Sequence, residues 1–259
     1  MLLVVDVGNT HIVWGVYKNN ELLAHWRVAS NRFATEDEYA VILQGLLQQQ
    51  GLKLNAIAGM AIASVVPPIT ANLLIMANKH LRLDPLVVDY NLSTGLEIKL
   101  DNPQEIGADR IVNCVAALRI YQTRPMIVVD FGTGTTFDCI SEAGAYLGGA
   151  IAPGVGISIE ALFSKAAKLP RVELTPPPQA IGTNTLTCLQ SGCLYGFVGQ
   201  VDGIVGRLQQ ELDGKALVIA TGGLAKDIAP HTDSIDIVDE WLTLNGLRML
   251  FQEQHLTIA

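Results

Sequence analysis

Near its start the chain carries an aspartate at the end of an apolar run, followed by a small polar turn: Leu2, Leu3, Val4, Val5 and Asp6, then Val7, Gly8, Asn9 and Thr10. A carboxylate at a strand end suits a nucleotide phosphate when a glycine beside it lets backbone N–H groups approach an anion and polar side chains flank it. A single copy of this pattern is equally ordinary hairpin chemistry. Here it occurs twice. Met126 to Val129 and Asp130 repeat the apolar run and its aspartate 124 residues later, and Phe131, Gly132, Thr133, Gly134, Thr135 and Thr136 follow. Two facing loops of this type can clamp a triphosphate between domains. A third glycine turn, Thr221, Gly222 and Gly223, follows another apolar run and leaves room for an adenosine.

The elements that must position these turns follow from periodicity. Strands are expected over 2–6, 12–17 and 21–28, with Asn19 and Asn20 in the second turn because asparagine tolerates positive φ. Thr35 and Glu38 form a capping box that starts a helix running to about Gln50, and Gly51 ends it. A strand over 57–64, a helix after Pro67 and Pro68, and a strand over 86–88 complete an α/β sheet covered by helices. A helix over 105–121 leads to the second copy, with strands over 126–130, 137–140 and 146–151. The glycine-rich run from Gly148 to Gly156 reads as a tight loop into a helix over 157–168, serving either anion binding at the helix start or close packing. Pro170 to Pro178 is loop, since consecutive prolines donate to neither helix nor ladder. A helix over 184–212, a strand over 216–220 and a closing helix over 241–254 finish the chain. The repetition predicts a duplicated fold, divided into lobes 1–117 and 118–259.

Composition excludes several partners. Seventeen Lys and Arg against 25 Asp and Glu give a formal charge of −8, with 49% hydrophobic residues. An acidic chain lacks the cationic footprint of a nucleic-acid binder, and this apolar content supports a full core rather than disorder. The longest apolar stretch, Ala56 to Val66, falls short of the roughly 18 residues a membrane helix needs. No basic segment precedes Leu2 to mark a signal peptide. These features place the protein in the cytoplasm, away from membranes. Cys114, Cys139, Cys188 and Cys193 contain no C-x-x-C pair, so zinc has no ligand set and the thiols read as reduced core residues.

One further element bears charge in a suggestive order: Gly107, Ala108, Asp109 and Arg110. Phosphoryl transfer needs a group to orient and deprotonate the attacking hydroxyl and cations for the phosphates. Asp109 and Arg110 can supply one of each, or form a simple exposed ion pair.

The three glycine turns resemble the two phosphate motifs and the adenosine motif of the acetate kinase, sugar kinase, heat-shock-70 and actin superfamily. That resemblance implies duplicated ribonuclease H-like (actin-like ATPase) domains with the active site in the cleft between them. With the stretch from Asp101 to Arg110, the run from Gly148 to Gly154 and Gly182 to Thr185, the chain resembles type III pantothenate kinases over nearly its full length. The family implies ATP-dependent phosphorylation of pantothenate to 4′-phosphopantothenate, the first step toward coenzyme A. By the same resemblance Asp109 takes the proton of the pantothenate hydroxyl and Arg110 orients the anionic substrate. Gly107, Ala108, Leu100 and Thr185 join them at pantothenate. Asp6, Val7, Gly8, Asn9, Thr10, His11, Ile12, Val13 and Thr133 contact ATP, and Asp130 holds a monovalent cation, K⁺ or ammonium, beside Mg²⁺.

Two positions depart from the family's usual pattern. Leu100 stands where a tyrosine commonly precedes the D-N-P triplet, and Thr183 replaces a frequent lysine. Leu100 keeps open another small substrate for a kinase or phosphohydrolase of the superfamily, and an ATP-gated regulatory protein is the reading of a different class. Thr185 is equally explained as a helix-start residue, Asp130 as a turn cap, and His11 as a backbone-bonded ring. The resemblance also implies a homodimer, and the apolar, glycine-spaced face around Leu194, Phe197, Val198 and Val201 fits either that interface or the core.

Overall fold

The computed structural model describes residues 1–166, 169–212 and 215–256. Alternating apolar residues and short turns build β1 (Leu2–Val7), β2 (His11–Lys18) and β3 (Glu21–Ala29) as an antiparallel meander. Asn19 takes φ 56° in the second turn. The capping box forms at α1 (Glu36–Gln49): Thr35 Oγ1 accepts from the Glu38 N–H, and the Glu38 carboxylate accepts from the Thr35 N–H. β4 (Gly59–Ser64) leads to α2 (Pro67–Met76), whose two prolines occupy first-turn positions where a missing N–H costs nothing. A π-helical turn over Ala77–Leu81 extends α2 before β5 (Leu86–Val88).

The next helix, α3 (Ala108–Tyr121), starts later than the expected Glu105 because Pro103–Glu105 forms a separate 3₁₀ turn. The second copy follows as β6 (Met126–Phe131), β7 (Gly134–Ile140), β8 (Tyr146–Pro153), α4 (Val155–Lys165) and α5 (Thr185–Glu211). β9 (Leu217–Thr221), a short α6 (Ala225–Ile228), β10 (Ile237–Val238) and α7 (Leu242–Leu256) complete the chain. The sequence reading had no counterpart for the π-helical turn, α6 or β10, each too short to show a period. The helix expected over 157–168 begins at Val155, and Lys168 lies outside the described residues.

The two sheets have the same plan. One runs β3-β2-β1-β4-β5 and the other β8-β7-β6-β9-β10. In each, three antiparallel strands are followed by two parallel ones. This is the duplicated ribonuclease H-like α/β fold. The residues group into two compact units: Met1–Leu96 with Asn102–Ile120 and the segment from Trp241 onward, and Glu97–Asp101 with Tyr121–Glu240. That grouping differs from a contiguous division at 117/118, because α7 belongs with the first sheet.

In the first unit, α1 and α2 cover the face of Leu3, Val5, Ile12, Trp14, Met60 and Ile62. α7 covers the opposite face through close glycine contacts. A Cβ at Gly59 would strike the Phe251 ring, one at Gly15 would lie 3.0 Å from Leu244 Cδ1, and one at Gly246 would lie 2.6 Å from the Val112 carbonyl of α3. In the second unit, Ile127, Val129, Phe131 and Phe137 pack against Leu194, Val198 and Val201 of α5. Those three helix residues are therefore core, and the face expected to serve either a dimer or the core serves the core. Gly148 and Gly149 lie inside β8, as the strand expected over 146–151 has them, so the run from Gly148 to Pro153 is strand rather than tight loop; a Cβ at Gly149 would run into the Phe137 carbonyl of β7.

Candidate active site

The first turn is built on strand register. Asp6 lies opposite Val13 of β2 and Ala63 of β4, and Val7 lies opposite Ile12 and Ser64. The hairpin closes when the Gly8 N–H donates to the His11 carbonyl at 3.0 Å. Asn9, Thr10 and His11 stand exposed at the tip. The Val7 and Ile12 side chains are buried in the core, 1% and 0% exposed, so these two of the expected nucleotide contacts have only backbone to offer. Partial burial, and then the Arg27 guanidinium, lower the pKa of His11. Its ring is neutral at pH 7.

Gly107 brings α3 to the same end of this sheet. A Cβ at Gly107 would lie 3.5 Å from Val65 Cγ1, and the Val65 N–H donates to the Val7 carbonyl at 3.1 Å. The start of α3 therefore sits at the carboxyl ends of β1 and β4, where Asp6 also sits. A Cβ at Gly107 would also crowd Asp109 Oδ1, so glycine leaves the carboxylate space to fold back. That oxygen accepts from the Arg110 N–H at 2.8 Å. Burial raises the pKa of Asp109, and the backbone bond and the Arg110 charge only partly oppose it. An aspartate that is half-buried and held this way is not a solvated surface ion pair.

The second turn is one residue shorter: Phe131 lies opposite Thr135, and the Gly132 N–H donates to the Gly134 carbonyl at 3.0 Å. Asp130 lies opposite Thr136 and Thr221. Two glycines press on this turn. Gly154 donates its N–H to the Thr133 carbonyl at 3.1 Å, and a Cβ there would overlap the same carbonyl. Gly222, at φ 90°, leaves no room for a Cβ beside Asp130 Oδ1.

A family model described as type III pantothenate kinase matches residues 2–207. A type III pantothenate kinase of Moorella thermoacetica is 57% identical over 252 residues, covering 97% of this chain and 99% of the relative. One of Bacillus cytotoxicus is 51% identical, covering 97% and 96%. The chain belongs to the type III pantothenate kinase family. Solved structures agree on the fold: the ethanolamine utilization protein of Carboxydothermus hydrogenoformans superposes with TM-score 0.58 at 17% identity, covering 96% of this chain and 89% of that one. Component A of the (R)-2-hydroxyglutaryl-CoA dehydratase of Acidaminococcus fermentans gives 0.52 at 13% identity, covering 96% of each.

Within this family member, the remaining expected pantothenate contacts, Leu100 and Thr185, belong to the second unit. Leu100 is half-buried, its Cδ2 3.3 Å from where a Cβ of Gly148 would lie. Thr185 opens α5 with its side chain exposed, but the cap belongs to its neighbours: Asn184 Oδ1 accepts from the Thr187 N–H at 3.0 Å, and Thr187 Oγ1 accepts from the Asn184 N–H at 3.3 Å. Helix capping thus leaves the Thr185 hydroxyl unexplained. Sequence reasoning passed over Asp138, which is fully buried and accepts from Tyr146 Oη at 2.9 Å and Thr136 Oγ1 at 3.2 Å. The signal was available: Asp130, Thr136 and Asp138 share one sheet face by register, opposite the apolar face of Val129 and Phe137.

Proposed function

We propose that this chain phosphorylates the terminal hydroxyl of pantothenate with ATP through a site whose base is Asp109, giving 4′-phosphopantothenate, the first step of coenzyme A synthesis. The observation that carries the reading is the seating of Asp109 and Asp6 at the same end of the first sheet, brought about by Gly107 against Val65. Ligands of open α/β sheets bind outside the carboxyl ends of the strands. The pantothenate oxygen attacks the γ-phosphorus, its proton passes to the Asp109 carboxylate, and the bond to the ADP oxygen breaks. A carboxyl raised by burial is a better base than an ordinary aspartate, provided the pH keeps it ionised. Arg110 orients the pantothenate carboxylate, and the family resemblance assigns Gly107, Ala108, Leu100 and Thr185 to pantothenate as well.

The ATP phosphates lie against the turn from Asp6 to Val13, and the family resemblance assigns Thr133 to ATP as well. Among the described residues no group of three His, Cys, Asp or Glu side chains gathers to hold a metal. Mg²⁺ would be held through one or two carboxylates together with the substrate phosphates. Asp130, with the Thr136 and Thr221 positions beside it in the ladder, offers the hard oxygen donors that K⁺ or ammonium requires. Such an ion, held by Asp130, would supply positive charge to offset that of the phosphates.

The enzyme is read as a cytoplasmic homodimer. Among the described residues no helix is long and apolar enough to cross a membrane. Ile157 and Leu162 of α4 and Leu186 and Tyr195 of α5 are exposed, which gives a second copy an apolar surface to cover. A monomeric mass by light scattering at micromolar concentration would reject the dimer. The reaction is tested by an acceptor screen with purified protein, ATP, Mg²⁺ and K⁺. Product only with pantothenate is the expected result, and ATP hydrolysis indifferent to every acceptor would overturn it.

A further inference from the structure

The first phosphate turn has no cation of its own. Gly8, Asn9 and Thr10 are uncharged, and His11 is neutral at pH 7 because partial burial and Arg27 lower its pKa. A triphosphate nevertheless needs positive charge and N–H donors around it. The loop that follows β3 reaches back to this turn and supplies both. Arg32 Nη2 donates to Asn9 Oδ1 at 2.9 Å. The Ser30 N–H donates to the Thr10 carbonyl at 3.0 Å, and Ser30 Oγ donates to the Gly8 carbonyl at 2.5 Å.

These bonds decide the polarity of the turn. The carbonyls of Gly8 and Thr10 are taken by Ser30, and that of His11 by the Gly8 N–H. Their partial negative charge is therefore spent on protein donors. Arginine carries donors only, so Asn9 must present its carbonyl oxygen to Arg32, which turns its Nδ2 donors the other way. Arg32 spends one of its five N–H groups on Asn9 and is otherwise exposed.

Its backbone is held firmly. The Phe33 and Ala34 N–H groups donate to Asn31 Oδ1 at 3.0 Å and the Asn31 carbonyl at 3.2 Å. Tyr39 Oη donates to the same carbonyl at 2.8 Å, and Asn72 Nδ2 to the Ala34 carbonyl at 2.8 Å.

We propose that Arg32 is a ligand of the nucleotide phosphates, and that Arg32 and Ser30 together make the first turn an anion receptor whose side-chain donors are the Arg32 guanidinium and Asn9 Nδ2. The inference rests on ATP as the nucleotide bound at this turn. The test is calorimetric binding of AMP-PNP, with Mg²⁺ and K⁺ at fixed ionic strength, and of adenosine, to the unsubstituted protein and to Arg32→Ala and Arg32→Lys. Losing a charge-assisted bond to phosphate should weaken AMP-PNP by about 10-fold or more in Arg32→Ala. Adenosine, which has no phosphate, should bind unchanged. Arg32→Lys should recover part of the loss, since it keeps the charge without the planar fork.

Equal AMP-PNP affinity in Arg32→Ala would overturn the assignment. So would a parallel loss of adenosine binding, which would mark a structural effect. If the unsubstituted protein bound adenosine but gained nothing from the phosphates of AMP-PNP, the phosphate reading of the turn itself would fall.

Discussion

The two sheets share a strand order and an aspartate at the same place on the central strand, yet the turn after that aspartate is held differently in each. In the first unit the turn is four residues long, its tip is exposed, and a neighbouring loop grips it through Ser30 and Arg32. A Cβ at Gly8 would lie 3.1 Å from the His11 carbonyl, a contact that a small shift relieves. In the second unit the turn is three residues long, and Gly154 and Gly222 close on it with no space for a side chain. Duplication preserved the ladder, and the residues outside the ladder diverged. The first copy has an exposed tip braced by side-chain donors from the loop after β3, whereas the second packs its carboxylate against closely approaching glycines.

The comparison breaks most sharply at Asp109, the charged group that only the first unit's sheet end receives from α3. Asp109→Asn should lower kcat about 10²–10⁴-fold, because an amide cannot accept the hydroxyl proton. Its stability effect has a definite sign. A carboxyl whose folded pKa is raised by burial contributes stability that is fully present below its ordinary pKa and is lost as pH rises through the folded value. Above the folded value the ionised group therefore opposes folding, and there the asparagine variant should melt no lower than the parent. Retention of more than about a tenth of kcat would defeat the assignment as base. The wild-type kcat/KM profile should also fall on the acid side at a pH above the ordinary aspartate range. An acid limb at or below that range would show that Asp109 does not titrate in the reaction.

The second unit's carboxylate is tested through its cation. Asp130→Asn should raise the K⁺ concentration for half-maximal activity by about 10–100-fold, by analogy with the loss of a supporting metal-site group. Full wild-type activity in sodium alone, at constant ionic strength, would remove the reason for the experiment.

Backbone closeness gives the next contrast. Gly222→Ala, at positive φ and facing Asp130, should cost about 1–3 kcal/mol in chemical denaturation. Gly8→Ala should cost less than about 1 kcal/mol, and a reversed order would contradict the account of a tight second turn and a yielding first one. A small effect of the same order is expected outside both turns. Thr35→Ala removes one bond of the α1 capping box and should cost about 1 kcal/mol.

Much of this is legible in the sequence. Strand alternation, the Thr35 and Glu38 box, the glycine stops and the repeated aspartate are encoded among near neighbours in the chain, and local sterics and hydrogen bonding act at that range. The repeat was sufficient to expect two sheets of one plan, and the motifs around Asp109 were sufficient to suggest the family.

Tertiary structure alone decided the rest. That Gly107 rests on Val65, that α7 crosses to the first sheet, and that Gly149 and Gly154 serve close packing are contacts between distant residues, set by which surfaces meet and how much volume is left. The raised pKa of Asp109 comes from loss of water around a carboxylate, and burial belongs to the packed chain rather than to any stretch of it. Arg32 makes the same point: in sequence it is one exposed cation among seventeen basic residues, and only the folded loop brings its guanidinium to Asn9.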